Sequence, residues 1–241
     1  MTYTGAITEL IKAVFFDFYN TLGKFHPPRE ELQAQACGQF GIDVTPHGIT
    51  IGYSAADAFM ATEVAIVPLK DRGRQGVKDF FAEYERLVLD GAGVKVSLDL
   101  ALRISEKLRQ LSYGYALYDD VLPTLGLLKD KELILGLLSN NESDMDKLSR
   151  ELGLSVYLDF VISSSDVLAN KPDPAMFLAG LDNAGVEPQE ALHVGDQYIS
   201  DVKGAQAVGI NAVLLDRDGL NKNNKNCVRI ERLDQIMELV G

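Results

Sequence analysis

The chain has 241 residues, of which 46% are hydrophobic and 24% are charged, and its formal net charge at pH 7 is −12. This composition is typical of a globular protein, and the length suits one domain with an insertion or two small domains. The acidic balance argues against nucleic acid and anionic membranes as partners, and no apolar run approaches the roughly 20 residues that span a bilayer.

The two cysteines, Cys37 and Cys227, show no CxxC spacing, so neither a structural zinc site nor a disulfide framework is expected. The first apolar run ends at Asp17, which is not typical of a signal peptide. These features predict a soluble, cytoplasmic protein that is a monomer or a homodimer.

Five short apolar runs predict the strands of a sheet. Each run is nearly continuous rather than alternating, which is typical of parallel strands that are buried on both faces. The runs are KAVFF before Asp17, ELILGLL before Ser139, DFVI before Ser163, ALHVG before Asp196 and NAVLL before Asp216.

A block of helices is predicted between the first and the second of these strands. Apolar residues recur at helical spacing in residues 29–40, 77–89 and 98–113, and almost no strand-like run lies between them. We therefore predict a helical domain at residues 25–115, inserted into an α/β domain formed by residues 1–24 and 116–241.

Helices are also predicted between the later strands, at residues 144–152, 174–184 and 201–208. Asp173 is a candidate N-cap before Pro174, and Gly209 is a candidate C-cap. Strands that alternate with helices indicate an α/β fold with a doubly wound parallel sheet.

Polar residues follow several predicted strands directly. Asp17 follows the first strand, Ser139 the second and Asp196 the fourth. Because the carboxyl ends of parallel strands line one crevice, where ligands bind in open α/β sheets, we expect these three residues to converge.

The first two motifs each have a chemical and a structural interpretation. In DFYNTL, the carboxylate of Asp17 could attack phosphorus or carbon to form a covalent intermediate, or it could only cap a turn. In LLSNN, the hydroxyl of Ser139 and a following N–H could bind a phosphoryl oxygen, or Ser139 could be a helix N-cap.

The last two motifs could supply charge and a metal site. In NKPDP, Lys171 could neutralise an anionic substrate together with the nucleophile, or it could be a solvated surface lysine. In GDQYISD, Asp196 and Asp201 could face one Mg²⁺ ion, which takes few protein carboxylates, or Asp201 could cap a helix.

These four motifs, in this order, resemble those of the haloacid dehalogenase superfamily of hydrolases, and the helical insertion after the first strand resembles that superfamily's cap. The resemblance runs from about residue 12 to about residue 215. It implies a Mg²⁺-dependent phosphatase that acts on a small phosphorylated metabolite through an aspartyl-phosphate intermediate.

The resemblance also implies three groups of site residues. The catalytic residues would be Asp17 as the nucleophile, Lys171 as the charge anchor, and Tyr19. The phosphate-binding residues would be Ser139, Asn140, Thr21 and Lys171. The metal ligands would be Asp17, Asp196, Asp201 (directly or through water) and the backbone carbonyl of Tyr19.

One position departs from the pattern of the superfamily's phosphatases. They carry a second Asp, the general acid and base, where this chain has Tyr19. The superfamily's haloalkanoate dehalogenases also have Tyr there, so one alternative is a dehalogenase in which Asp17 attacks carbon. Another alternative is a catalytically weak or inactive binding module. His26 could replace the missing acid, or it could be an ordinary loop histidine.

Overall fold

A computed structural model describes residues 10–141, 144–222 and 226–241 of the chain. The strands are β1 (Ala13–Phe16), β2 (Gly23–His26), β3 (Gly114–Leu117), β4 (Ile134–Ser139), β5 (Phe160–Ser163), β6 (Ala191–Gly195), β7 (Asn211–Leu215) and β8 (Val228–Ile230). The helices are α1 (Arg29–Gly38), α2 (Pro46–Ile66), α3 (Gly73–Gly91), α4 (Leu98–Leu108), α5 (Val121–Asp130), α6 (Met145–Glu151), α7 (Ser164–Val167), α8 (Pro174–Ala184) and α9 (Gly204–Ala207).

Six of the strands form one parallel sheet in the order β5-β4-β1-β6-β7-β8, and β2 and β3 form a separate pair. Every residue of β1 is buried, as is every residue of β6, because both strands lie inside the sheet with helices on its faces. This architecture confirms the predicted doubly wound α/β fold. It also places β1 between β4 and β6, the three strands whose ends carry the predicted motifs.

The chain divides into two compact units. One contains the described residues up to Lys24 and those from Ala116 onward, and the other is Phe25–Tyr115. In the first unit, Phe15 of the sheet packs with Met176 and Phe177 of α8 in a buried apolar cluster. This cluster covers one face of the sheet and supports the loop that precedes α8.

The second unit consists mainly of helices α1 to α4. Helices α2 and α3 approach very closely, because a Cβ atom on Gly52 would lie 1.9 Å from the Val88 carbonyl oxygen and one on Gly91 would lie 2.4 Å from the Gly52 Cα. Ile49, Val88 and Leu89 are fully buried in the apolar cluster of this unit. The two glycines therefore allow the helices to bury a shared core.

Some element boundaries differ from the predictions. Helix α2 was not predicted as a separate helix, because its apolar residues surround it instead of forming one stripe. The predicted helix at residues 98–113 ends at Leu108. The predicted helix at 201–208 begins earlier, as a π-helical turn at Tyr198–Lys203 that continues into α9.

Neither cysteine forms a disulfide, and both side chains are buried. Within the described ranges, no helix combines the length and the apolar character needed to cross a bilayer.

Candidate active site

The ends of three neighbouring strands bring the predicted motifs together. Strand β1 pairs with β6 so that Phe16 is opposite Val194, and the Asp17 N–H donates to the Val194 carbonyl at 2.9 Å. On its other side β1 pairs with β4, with Phe16 opposite Leu137. Asp17, Ser139 and the residues after Gly195 therefore lie at the same edge of the sheet.

A buried lysine links two carboxylates at this edge. The Nζ of Lys171 donates to Asp17 Oδ1 at 2.7 Å and to Asp201 Oδ1 at 2.6 Å. The Lys171 and Asp201 side chains are 1% and 2% exposed, whereas the Asp17 side chain is 13% exposed. Of the three groups, Asp17 is thus the one that a ligand can reach.

The charge of Lys171 opposes the effect of burial on the pKa values of Asp17 and Asp201. Burial raises the pKa of Asp17 to about 6, although Lys171 lowers it and the nearby Asp201 charge adds to the rise. Burial favours neutral Lys171, but the charges of Asp17 and Asp201 outweigh it and raise the Lys171 pKa. Burial also works against ionised Asp201, yet Lys171 and the hydrogen bond from His193 hold the pKa of Asp201 well below its usual range.

Both carboxylate oxygens of Asp201 have hydrogen-bond partners. Its Oδ1 accepts from Lys171 and lies 3.0 Å from His193 Nε2, while its Oδ2 accepts from the Gln197 N–H at 3.0 Å. Gly195 permits this arrangement, because a Cβ atom there would lie 2.2 Å from Asp201 Cγ. In the structure the Asp201 carboxylate holds Lys171, and its part in a metal site, directly or through water, stays a prediction.

The Asn140 side chain contacts the backbone of Lys171. Its side-chain amide accepts from the Lys171 N–H at 2.6 Å and donates to the Lys171 carbonyl at 2.9 Å. Both polar atoms of the amide are therefore engaged by the backbone of the NKPDP loop. The side chain thus holds the Lys171 backbone in place, and phosphate binding at Asn140 stays a prediction.

Ser139 is the last residue of β4, and Thr21 lies in the turn between β1 and β2; both side chains are buried. The Ser139 hydroxyl oxygen accepts from the Asn141 N–H at 3.2 Å, which leaves its own hydrogen able to donate to a ligand oxygen. Thr21 is fully buried, and its hydroxyl has no hydrogen-bond partner among the described residues. Phosphate binding by either residue stays a prediction.

Tyr19 and His26 occupy different environments. Tyr19 is half-buried in the turn after β1, where it bridges to Gly23, and its predicted roles remain predictions. His26 is the last residue of β2 and its side chain is exposed.

The sequence interpretation missed His193, which is fully buried in β6. Burial lowers its pKa, so the neutral ring donates from Nε2 to Asp201. Its Nδ1 has no partner among the described residues. A lone histidine in the otherwise apolar run ALHVG was the signal that could have drawn attention to it.

The sequence interpretation also missed the surroundings of Asp196. Asn20 Nδ2 donates to Asp196 Oδ2 at 3.0 Å, and the Tyr118 hydroxyl donates to Asn20 Oδ1 at 2.7 Å. Tyr118 lies 98 residues away from Asn20 along the chain, so no local pattern reveals this contact.

A divalent cation would find oxygen donors at this edge. The described ranges contain no cluster of three or more His, Cys, Asp or Glu side chains suited to a metal. Mg²⁺ keeps several waters and takes only one or two protein carboxylates, so Asp17, Asp196 and a backbone carbonyl such as that of Tyr19 fit its chemistry.

Similar proteins include a relative and two solved structures whose descriptions name an activity. Glyceraldehyde 3-phosphate phosphatase of Methanopyrus kandleri is 25% identical over 243 residues, covering 96% of this chain and 97% of that protein. A haloacid dehalogenase (HAD) phosphatase structure from Thermococcus onnurineus is 27% identical, with a TM-score of 0.58 over 96% of this chain and 98% of that one.

A 2-haloacid dehalogenase structure from Pseudomonas syringae pv. Tomato is 26% identical, with a TM-score of 0.56 over 96% of this chain and 98% of that one. The similar proteins thus include both chemistries that the sequence leaves open. The family model described as haloacid dehalogenase-like hydrolase matches residues 11–209, so this chain belongs to the haloacid dehalogenase-like hydrolase family.

Proposed function

We propose that the protein is a Mg²⁺-dependent phosphatase that acts on a small phosphorylated metabolite, with Asp17 as the nucleophile. The observation that carries this proposal is the bridge from Lys171 Nζ to Asp17 and Asp201. The bridge places the buried ammonium group of Lys171 beside Asp17, and of the three side chains in the bridge Asp17 is the one that a ligand can reach.

In the proposed reaction a carboxylate oxygen of Asp17 attacks phosphorus, and the bond from phosphorus to the leaving oxygen breaks with its electron pair. Water then attacks the phosphorus of the aspartyl phosphate, which releases inorganic phosphate and restores Asp17. Lys171 compensates the negative charge that accumulates at the site, and Asp201 keeps Lys171 charged and in position.

Mg²⁺, held by Asp17, Asp196 and the backbone carbonyl of Tyr19, would neutralise phosphoryl oxygens. Ser139, at the end of β4, would donate its hydroxyl hydrogen to one of these oxygens. Because Tyr19 replaces the expected general acid, the leaving group must depart with little protonation. Loss of a general acid typically costs about 10²–10⁴-fold, so aryl and acyl phosphates should be better substrates than alkyl phosphates.

The test is a screen of phosphate esters with leaving groups of different pKa, with Mg²⁺ and with EDTA. We expect aryl phosphate turnover that needs Mg²⁺ and is abolished by Asp17→Asn. Asp182→Asn, a matched change of an exposed aspartate on α8, should leave turnover unchanged. Tyr19→Asp should raise the turnover of alkyl phosphates. Flat alkyl turnover in Tyr19→Asp would show that the general-acid argument is wrong.

Haloacid dehalogenation is the second candidate, because Tyr19 occupies the position at which the superfamily's dehalogenases also have tyrosine. In that reaction Asp17 would attack carbon and halide would leave with the bonding electrons. Chloride release from a 2-chloroacid without added metal would favour this candidate. No turnover of either substrate class would favour the binding module.

A further inference from the structure

Asn20 carries a side chain at a backbone position that favours glycine. Its φ is +58°, in the left-handed region, and its N–H closes a tight turn by donating to the Gly23 carbonyl. Asparagine tolerates this region better than most residues, but glycine enters it without steric cost. The contacts of the Asn20 side chain therefore offer a reason for asparagine at this position.

The Asn20 amide has only one orientation that satisfies both of its neighbours. An ionised carboxylate only accepts hydrogen bonds, so Nδ2 must face Asp196, to which it donates at 3.0 Å. Oδ1 must then accept from a donor on the other side, and the Tyr118 hydroxyl donates to it at 2.7 Å. The Asp196 carboxylate thus sets the orientation of the amide, and the hydrogen bond from the Tyr118 hydroxyl holds the amide in place.

Tyr118 is itself held against the turn that contains Asn20. Its N–H donates to the Leu22 carbonyl at 3.1 Å. The Arg217 guanidinium lies 3.9 Å from the centre of the Tyr118 ring and donates to the Thr21 carbonyl at 2.8 Å. A cation over the ring withdraws electron density from the phenol, which strengthens hydrogen-bond donation by its hydroxyl.

Arg217 is in turn fixed by a bidentate ion pair with Asp120, with distances of 2.9 and 3.0 Å. The pair is largely buried, since the Arg217 and Asp120 side chains are 10% and 2% exposed. Tyr118 and the turn after β1 are therefore anchored by the same guanidinium. The chain of hydrogen bonds from Tyr118 through Asn20 to Asp196 starts from a rigid support.

We propose that Asn20 and Tyr118 are positioning residues that orient the Asp196 carboxylate for a divalent cation, with the Tyr118 hydroxyl acting through Asn20. This inference rests on the metal site of the proposed function. Partners of metal-binding carboxylates outside the coordination shell typically contribute about 10–100-fold to metal affinity. The hydrogen bond from Asn20 to Asp196 is such a contact.

The experiment is calorimetric titration of the full chain with Mg²⁺ alone, without substrate. Asn20→Gly keeps the left-handed backbone and removes the amide, and Tyr118→Phe keeps the ring and removes the hydroxyl. We expect the dissociation constant for Mg²⁺ to rise about 10-fold or more in Asn20→Gly and by a smaller factor in Tyr118→Phe. In the double variant we expect the same value as in Asn20→Gly alone.

The double variant separates positioning from general stability. If the two side chains acted independently, the factors by which the single variants raise the Mg²⁺ dissociation constant would multiply in the double variant. If Tyr118 acts through Asn20, the double variant has the same dissociation constant as Asn20→Gly. Tyr157→Phe, at the turn before β5, is the matched control and should not change the dissociation constant. Unfolding temperatures in EDTA verify that each variant is folded, and Tyr118→Phe provides the test if Asn20→Gly does not fold.

Unchanged Mg²⁺ affinity in both single variants would overturn the proposal, as would multiplying effects in the double variant or absence of Mg²⁺ binding by the wild-type protein. The screen of phosphate esters tests the proposed phosphatase activity and not the positioning role. If no ester is hydrolysed but Mg²⁺ affinity changes as expected, the phosphatase proposal fails and the positioning role stands.

Discussion

Each compact unit buries an acidic side chain, but the two acids are stabilised in different ways. In the α/β unit, Asp201 is surrounded by Lys171, His193 and a backbone N–H. In the helical unit, Glu85 is 1% exposed and accepts from the neutral Gln33 amide at 2.5 Å. The first acid thus has a buried cation beside it, and the second has a hydrogen bond to a neutral group.

The difference appears in the pKa values of the two carboxyl groups. Burial favours the neutral form of both, but the charge of Lys171 keeps the pKa of Asp201 well below its ordinary range. Burial raises the pKa of Glu85 from 4.5 to about 7, and the hydrogen bond from Gln33 offsets only part of this rise. The adjacent charge and the larger number of hydrogen bonds together lower the pKa of Asp201, whereas Glu85 has one neutral hydrogen bond against its burial.

The largest expected loss of stability comes from removing the buried ammonium group of Lys171 in the α/β unit. Lys171→Met leaves Asp17 and Asp201 buried together without a counter-charge, and breaking such a pair typically costs about 3–5 kcal/mol of unfolding free energy. Urea unfolding at neutral pH measures the loss.

The matched control is Lys147→Met. Lys147 lies on α6 and pairs with Glu151 at 3.8 Å, with side chains that are 65% and 61% exposed. Exposed pairs of this kind contribute about 0.5 kcal/mol or less. Similar losses in the two variants would contradict the contrast between buried and exposed pairs.

The second prediction concerns the pH dependence of stability in the helical unit. Because the folded-state pKa of Glu85 is raised to about 7, folded protein retains a proton on this group at pH values where unfolded protein has lost it. Its contribution to stability is therefore fully present below about pH 4.5 and is lost as the pH rises to about 7.

Glu85→Gln removes this titration. The free energy of unfolding of the variant, relative to wild type, should increase by on the order of 2–3 kcal/mol between pH 4.5 and pH 7.5. Urea unfolding at several pH values measures the change, with Glu106→Gln on an exposed position of α4 as the control. A constant difference across this range would argue that Glu85 titrates normally.

The smallest effect is expected for Tyr53→Phe, which removes one neutral hydrogen bond near Glu85. The Tyr53 hydroxyl donates to Gln33 Oε1 at 2.8 Å, and Gln33 is fully buried. Its loss should cost about 1–2 kcal/mol, because a buried acceptor is left unpaired. Tyr113→Phe, at an exposed position of the same unit, should cost less in thermal or urea unfolding. Equal costs would show that the Gln33 contact adds little.

Sequence patterns predicted elements well where the local signal was strong. Helix α8 occupies Pro174–Ala184 as predicted, with the Asp173 side chain accepting from the Ala175 N–H. The buried strands were visible as continuous apolar runs, since a strand covered on both faces has no polar side. Helix α2 escaped prediction as a separate element because its apolar residues form no stripe, although Thr45 before Pro46 was an N-terminal signal.

The convergence of the motifs was predictable from the sequence, but the contacts between their side chains were not. Each motif pointed to a residue type at a strand end, and the sheet brings Asp17, Ser139 and the segment after Gly195 to one edge. The spacing of Asp196 and Asp201 suggested a shared cation. In the structure the Asp201 carboxylate contacts Lys171, and the missing side chain of Gly195 leaves room for it beside the strand.

By itself, the sequence determined the class of the fold, the order of the motifs and the residue types available for chemistry, since hydrophobic periodicity and turn residues are local properties. Only the tertiary structure decided the pairings: Lys171 with Asp17 across 154 residues, Lys171 with Asp201 across 30, and Asn20 with Tyr118 across 98. Strand order and loop paths set such contacts, and no single segment encodes them. The protonation of each buried group follows from those contacts, because it depends on which charges lie within a few ångströms.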